Sequence, residues 1–298
     1  MSDMKSVYGQ GKDNYMLKMR IKSTVLFIWF VILTIICLLP IYVLLINATR
    51  SNNEISSGFT LIPSDYFATN FKNMRTLDYA KNAFKPLIGY RNSAIITCSA
   101  TILTVFFSAL TSYGIHVYDF KLKDISYTFI LLIMMVPTQV TSAGFVEFMI
   151  SLKLHNTYVP LILPAIAAPA VIFFMRSYLK SSFPLDIVEA ARIDGSGEFR
   201  TFLTIAIPMM KPAIAVQAIF AFVANWNNFY TPSMILIDGD KYKQTLPMMV
   251  QAVQSSDKFT DFGIVYTCIA LSIVPIVIAY VLLSKWIVGG VALGGVKE

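Results

Sequence analysis

The sequence predicts an all-α membrane protein with six transmembrane helices, and three observations carry that prediction. Charged residues make up only 14% of the 298 positions, against roughly 25% in soluble domains. Hydrophobic residues make up 56%, and the mean hydropathy is +0.64. Six windows contain no Lys, Arg, Asp or Glu: 23–49, 92–118, 125–146, 156–175, 212–237 and 262–284. Each is 20 to 27 residues long, and about 20 apolar residues in a helix cross a hydrocarbon core of about 30 Å. Lipid forces backbone polar groups to pair within their own segment, which favours helices. The windows are continuously apolar rather than alternating, which argues against barrel strands.

Residues 1–22 read as a cytoplasmic tail, with Lys18, Arg20 and Lys22 just before the first window. That window is too long for the apolar part of a signal peptide, and no small-x-small cleavage pattern follows it, so it reads as span one. The loop after it, "TRSNNEISSGFTLIPSDYFATNFKNM" at 49–74, is rich in turn-forming Ser, Asn, Gly and Pro, with room for a short helix. The tight turn 119–124 carries Lys121 and Lys123, and the segment 176–211 carries Arg176, Lys180, Arg192, Arg200 and Lys211. Short cytoplasmic loops favour Lys and Arg, which places these segments and both termini in the cytoplasm. The loop 50–91 has six basic residues, but it is 42 residues long and weighs less. Pro137 is expected to kink span three. "PLILPAIAAPA" at 160–170 reads as a kinked, closely packed helix in span four, and Pro275 reads likewise in span six. No repeat or low-complexity run appears, so 23–298 reads as one integral membrane domain. Cys37, Cys98 and Cys268 lie inside predicted spans without disulfide or metal spacing.

The pattern breaks once, at "EAARIDGSGEFRTFLTIAIP", 189–208, where seven charged or glycine residues fall between Glu189 and Arg200. Pro184 suits a first helical position, with Ser181 and Ser182 as upstream caps. Asp186 and Glu189 fall in early turns, where acids complement the helix dipole. Gly195 is placed to end that helix with positive φ, and Ser196 to cap a second helix running to Pro208. On physics alone two readings stand: an amphipathic loop lying on lipid headgroups, or a small-faced docking helix that another protein approaches at Ala190 and Ala191.

The segment resembles the signature loop of ABC importer permeases: EAA, three residues, Gly, nine residues, then Ile-x-Leu-Pro. Here the residues are Glu189-Ala190-Ala191, Gly195 and Ile205-Ala206-Ile207-Pro208, with Ile207 in place of Leu. "NWNNFYTP" at 225–232, "LKLHNTYVPLILP" at 152–164 and "SKWIVGGVALGGVKE" at 284–298 are similar to other parts of sugar-importer permeases. The likeness covers nearly the whole chain and is weakest in 1–22 and 50–91. The sequence is thus identified as resembling the inner-membrane permease subunit of binding-protein-dependent carbohydrate ABC importers, of the MalG-like type. The resemblance implies the ABC importer permease fold, with a coupling loop at 184–208 that docks on a cytoplasmic ATPase through Glu189, Ala190, Ala191, Asp194 and Gly195. It implies a second permease subunit in a heterodimer, two ABC ATPase subunits and an extracytoplasmic sugar-binding protein reached by the loop at 233–258. It also implies that the chain binds no cofactor itself, ATP and Mg lying at the partner ATPase.

The residues agree with an energy source elsewhere. "GQGKDN" at 9–14 and "GGVALGGVKE" at 289–298 both fail the Walker A pattern. An ion-coupled carrier usually places ionisable residues in mid-membrane, and the six windows hold none of Asp, Glu, Lys or Arg. An ABC permease for a non-sugar solute is the other alternative. The only histidines, His116 and His155, fall on opposite sides of the expected membrane, and no catalytic constellation or metal cluster appears. The net charge of +7 reads as basic cytoplasmic loops facing lipid headgroups, and without a basic stripe interleaved with aromatics no nucleic-acid partner is expected.

A sugar path needs hydrogen-bonding groups and aromatic faces in a wet cavity. Span five supplies Asn225, Trp226, Asn228 and Tyr230, and span three supplies Gln139 beside Thr141 and Ser142. Helical spacing puts Asn225 and Asn228 on one side. Interhelical hydrogen bonding within the bundle is the competing role for each of them.

Overall fold

The computed structural model describes the backbone of residues 2–237, 240, 242–255 and 261–294, and the side chains there except at 2–15, 17, 138–139 and 285–294. Chain order gives α1 (Ser2–Ala48), α2 (Asn52–Ser56), α3 (Phe67–Thr76), α4 (Asp78–Ala83), α5 (Pro86–Val117), α6 (Lys123–Met134) and α7 (Thr138–Ser151). Next come α8 (Val159–Ile162), a 3-10 turn over Leu163–Ile166, α9 (Pro169–Ser182), α10 (Asp186–Ile193) and α11 (Glu198–Thr201). A π turn over Phe202–Ala206 and α12 (Ile207–Met209) lead to α13 (Lys211–Trp226), α14 (Tyr230–Ile235), α15 (Leu246–Gln254) and α16 (Phe262–Gly294). The described residues contain no strand, as the all-α expectation requires.

Four helical stretches among them are long and apolar enough to cross a membrane: Lys18–Ala48, Asp78–Val117, Val159–Ser182 and Phe262–Ser284. A fifth results if Glu198–Met209 and Lys211–Trp226, bent by 80°, form one span. Two windows expected as single helices are interrupted. Window 125–146 folds as α6 and α7, of 12 and 14 residues, because Pro137 cannot donate to the preceding turn and disfavours helical backbone before it. Window 212–237 folds as α13 and α14. Its Asn228 Oδ1 accepts the Thr231 backbone N–H at 3.2 Å, an Asn bond that competes with the helical ladder. Window 156–175 bends as its prolines foretold, through the 3-10 turn and a break at Ala167–Ala168 before Pro169.

The chain divides into two compact units. The first comprises Met1–Asn73 and Asp261–Ala270. From Val25 to Leu39 the large apolar side chains of α1 are exposed on every face, which suits a helix solvated by lipid. Among its described side chains only those of the last turn are buried, at Ile46, Asn47 and Ala48. Arg50 follows, 6% exposed; its guanidinium donates to Asn47 Oδ1 at 3.2 Å, to the Gly58 carbonyl at 3.0 Å and to the Glu54 carbonyl. Ser51 and Glu54 form a reciprocal capping box on α2. Hydrogen bonds from the Ser51 backbone, and then from its hydroxyl, hold the Glu54 carboxyl below its ordinary range. Asn70 Nδ2 donates to the Ala48 and Arg50 carbonyls at 3.0 and 2.9 Å. Gly263 is needed there, because a Cβ would lie 2.6 Å from the Arg50 oxygen.

The second unit comprises Met74–Thr260 and Leu271–Glu298. Its centre is α5, a 32-residue helix whose only proline is its first residue. One face of α5 buries Gly89, Ser93, Thr97, Ala100, Thr101, Thr104, Ser108 and Ser112, small residues along which α9 and α13 approach closely and, at Gly89 and Ser93, α15. Thr104 Oγ1 donates to the Ala165 carbonyl at 3.0 Å, in the stretch where α8 and its 3-10 turn pack on α5. Asn92, fully buried, donates to the Tyr242 and Gln244 carbonyls at 2.7 and 2.9 Å and holds the chain entering α15.

Candidate coupling segment and translocation cavity

The charged segment folds as a short helix, a glycine turn and a second helical stretch. Two cap assignments need correction. Helix α10 begins at Asp186 rather than Pro184, and Ser181 and Ser182 end α9 instead of capping α10. Gly197, not Ser196, precedes α11, because the Ser196 hydroxyl accepts from Thr201 Oγ1 at 2.9 Å. The glycine stop stands: Gly195 has φ +76°. Its N–H reaches the Arg192 carbonyl at 3.0 Å, and the Ser196 N–H reaches the Ala191 carbonyl at 2.9 Å, the two bonds of a Schellman cap. A Cβ on Gly195 would meet nothing within 4 Å, so the glycine is demanded by backbone conformation and not by space.

An apolar core seats this segment on the bundle. Val188 of α10 and Phe202 and Ala206 of the π turn are buried with Ala109 and Tyr113 of α5, Met175 and Leu179 of α9, and Phe183. The Tyr113 and Phe202 rings lie 5.3 Å apart. Of the residues singled out from sequence, Glu189, Ala190, Asp194 and Gly195 are exposed, whereas Ala191 is only 6% exposed. A groove of about 480 Å³ runs along the segment, lined by Ala190, Ala191, Asp194, Gly195, Ser196 and Arg200 among others. Sequence reasoning missed Ile193, which is 87% exposed at the tip beside the glycine. Its signal was an apolar residue inside the charged run, immediately before the capped end. Arg192 forms a two-point ion pair with Glu198, and this holds the Glu198 carboxyl below its usual range, with the Tyr118 hydroxyl as the second cause.

A separate cavity of about 390 Å³ opens in the second unit. Ser93 and Thr97 come from α5, Thr141 and Ser142 from α7, Asn225 from α13, and Asn228, Thr231 and Thr245 from the segments beyond it. Ile96, Phe145, Leu161 and three prolines supply its apolar walls. Among the described residues no Asp, Glu, Lys or Arg lines it. The hydroxyls of Thr97 and Thr245 are buried without a hydrogen-bond partner, and an unmet buried hydroxyl costs free energy unless water or a solute reaches it.

The structure thus brings Asn225 and Asn228 to one cavity, though α13 ends between them and the helical-spacing argument does not apply. Asn225 Nδ2 donates back to the Ala221 carbonyl at 2.8 Å, one turn earlier in α13. Trp226 is 3% exposed and packs instead: its ring stacks on Phe222 at 5.6 Å, and its N–H donates to the Ser272 carbonyl at 3.0 Å. Tyr230 lies outside the lining, with its hydroxyl 3.1 Å from the Ser142 hydroxyl. The Gln139 side chain lies outside the described residues, as do 238, 239, 241 and 256–258 in the loop 233–258 and the side chains of the tail from 285. Thr97 and Thr245 went unnoticed in sequence because threonine is common in spans; only their meeting across 148 positions marks them. Among the described residues no three His, Cys, Asp or Glu gather to hold a metal ion.

A many-helix membrane chain with a glycine-capped surface helix and a polar cavity fits the class of transport subunits. The chain is a member of a particular family within it: residues 105–291 match the family described as "Binding-protein-dependent transport system inner membrane component". It is 33% identical over 280 residues to the arabinooligosaccharides transport system permease protein AraQ of Halalkalibacterium halodurans, covering 93% of this chain and 97% of that one. It is 30% identical to the diacetylchitobiose uptake system permease protein NgcG of Streptomyces coelicolor, covering 92% and 87%. It is 27% identical to the sn-glycerol-3-phosphate transport system permease protein UgpE of Yersinia pestis, covering 88% and 93%. In fold it is similar to a chain of a bacterial ABC transporter involved in the import of the acidic polysaccharide alginate, with a TM-score of 0.72, 20% identity, and 89% and 96% of the two chains covered. The chain is therefore a multi-pass membrane permease subunit of an ABC importer, and ATP hydrolysis belongs to a separate subunit.

Proposed function

We propose that this permease conducts a neutral sugar or oligosaccharide through the cavity at Thr97, Asn225, Asn228 and Thr245. The observation that carries this is the lining itself: among the described residues it is uncharged and rich in hydroxyl and amide groups, from Ser93, Thr141, Ser142, Thr231, Asn225 and Asn228 beside Thr97 and Thr245. A polyhydroxylated solute meets such groups in passing, whereas a proton or ion relay would need the ionisable side chains that this lining lacks. The names of the arabinooligosaccharide and diacetylchitobiose relatives support the same reading. Tyr230 flanks the path through its contact with the Ser142 hydroxyl, and Trp226 packs behind it on Phe222.

Both termini lie in the cytoplasm in this reading, as the positions of Lys18, Arg20, Lys22, Lys121 and Lys123 indicate. A second, related permease completes the path as a heterodimer, and an extracytoplasmic binding protein delivers the solute. Two cytoplasmic ATPases hold ATP and Mg. Their closure pushes the face made by Glu189, Ala190, Ala191, Asp194 and Gly195 and rocks the spans between inward-open and outward-open states.

The test is purification in mild detergent with mass spectrometry of the accompanying subunits, then reconstitution with the binding protein. Arabinotriose, diacetylchitobiose and sn-glycerol-3-phosphate are each added, and ATP hydrolysis is measured. Stimulation by a neutral saccharide supports the proposal. Stimulation by the glycerol phosphate alone replaces it with a non-sugar importer, and uptake that survives ATP depletion but collapses with an ion gradient overturns it.

A further inference from the structure

We propose that Tyr118, Arg192 and Glu198 form a clamp that passes displacement of the docking helix α10 to α5, and that Glu198 is its positioning residue. Glu198, at the start of α11, is bonded on two sides. Arg192, in the last turn of α10, donates from Nε to Oε1 at 2.7 Å and from Nη2 to Oε2 at 3.3 Å. Tyr118, which caps the end of α5, donates its hydroxyl to Oε2 at 2.7 Å. The Arg192 guanidinium also lies 5.8 Å from the centre of the Tyr118 ring. Three elements therefore meet at one carboxylate. An isolated exposed ion pair contributes little, but a two-point arginine pair joined by a third donor is a network with a fixed geometry. The low-lying carboxyl of Glu198, attributable first to Arg192 and then to Tyr118, agrees with an acid held ionised by both.

The choice of α5 as the receiving element is what gives the clamp a function. Windows three, four and five are interrupted, and an interrupted helix absorbs displacement at its breaks. Helix α5 is unbroken from Pro86 to Val117. It carries Ser93, Ile96 and Thr97 into the cavity lining, about 32 to 38 Å along the rod from Tyr118 at the ordinary helical rise. The apolar core around Val188 and Phe202 supports the segment from beneath, while the clamp fixes the rotational position of α10 against the end of the rod. This inference rests on the reading that α10 docks on an ATPase, so its test separates the two.

The test uses the whole importer in lipid nanodiscs, with Cys37, Cys98 and Cys268 replaced by Ala. Ala190→Cys is cross-linked to the ATPase, and in a second series Thr231→Cys reports cavity opening through its rate of reaction with a water-soluble maleimide, with and without AMP-PNP. In the parent we expect AMP-PNP to change the maleimide rate by at least about fivefold, the low end of ordinary coupling between sites. Glu198→Gln and the milder Tyr118→Phe are each expected to keep the ATPase cross-link while losing most of that change. The pair Arg192→Glu with Glu198→Arg is expected to restore it in part, which a merely structural role would not predict. An undiminished response in both single variants with the cross-link intact overturns the clamp alone. A parent in which Ala190→Cys never cross-links to the ATPase overturns the docking reading and the clamp with it.

Discussion

The coupling segment and the cavity place opposite demands on a sequence. The segment, Asp186 to Pro208, is written in consecutive residues: its stop at Gly195, its buried Val188 and its ion pair from Arg192 to Glu198 all lie within a few turns. Its hydrogen-bonding groups are largely satisfied by one another. The cavity is assembled from α5, α7, α8, α13 and the stretches near α14 and α15, and two of its hydroxyls are left unmet. A part that pushes has to be stiff and complete by itself. A part that conducts has to remain incomplete until a solute fills it.

Substitutions can break or sharpen that contrast. The largest effect is expected at Gly195. Gly195→Leu places a side chain on a φ of +76° and should lower ATP-dependent uptake by about tenfold or more, as loss of an interface hot spot does, with membrane insertion unchanged on membrane fractionation. Gly195→Asn should recover much of the activity, since Asn tolerates positive φ; equal loss in both variants would tie the requirement to something other than φ. Next comes Ile193, whose exposed tip lacks a partner within the chain's apolar core. Ile193→Ser should reduce ATPase retention in detergent by about tenfold and leave the thermal stability of the isolated permease unaltered.

The cavity should respond in the reverse sense. Thr97→Val and Thr245→Val each remove a buried, unpartnered hydroxyl, so each is expected to raise thermal stability slightly, by up to about 1 kcal/mol, while slowing uptake. A variant that loses both stability and transport would show that the hydroxyl is bonded within the protein. The smallest effect concerns pH. The carboxyl of Glu198 titrates below its ordinary value, so the clamp's contribution is fully present above the usual carboxylate range. It is lost only as pH falls through the depressed value. Carbon-13 NMR of labelled glutamate should find this carboxyl below about 4.3, the model-peptide value, and nearer to it in Arg192→Gln.

This contrast also explains what could be read from the sequence. The helical class followed from composition and from windows without charge. The glycine stop followed from one residue in a charged run, because a helix cap is a local event. The caps at Ser181, Ser182 and Ser196 were misplaced because a serine hydroxyl has other local partners: Ser181 donates to the Tyr178 carbonyl of α9 and meets Ser182, and Ser196 accepts from Thr201. The interruption at Asn227–Phe229 was invisible to hydropathy, since asparagine carries no charge and its backbone-directed bond depends on geometry. Trp226 looked like a sugar platform by residue type, but packing against Phe222 and the bond to Ser272 claimed it. Thr245 entered the cavity from a loop far along the chain, a meeting that periodicity does not encode.

The notch between α6 and α7 leaves Met135 and Val136 on the surface of the chain. Their N–H groups close the last turn on the Leu132 and Ile133 carbonyls at 3.1 Å, but Pro137 brings no N–H to carry the ladder further, so the carbonyls of 134–136 fall outside the α6 ladder. Hydrocarbon tails offer no donor to such groups. Wherever this subunit takes its place, that flank must look onto water or onto a neighbouring polypeptide. The bilayer itself thereby restricts how the two halves of the machine can be put together.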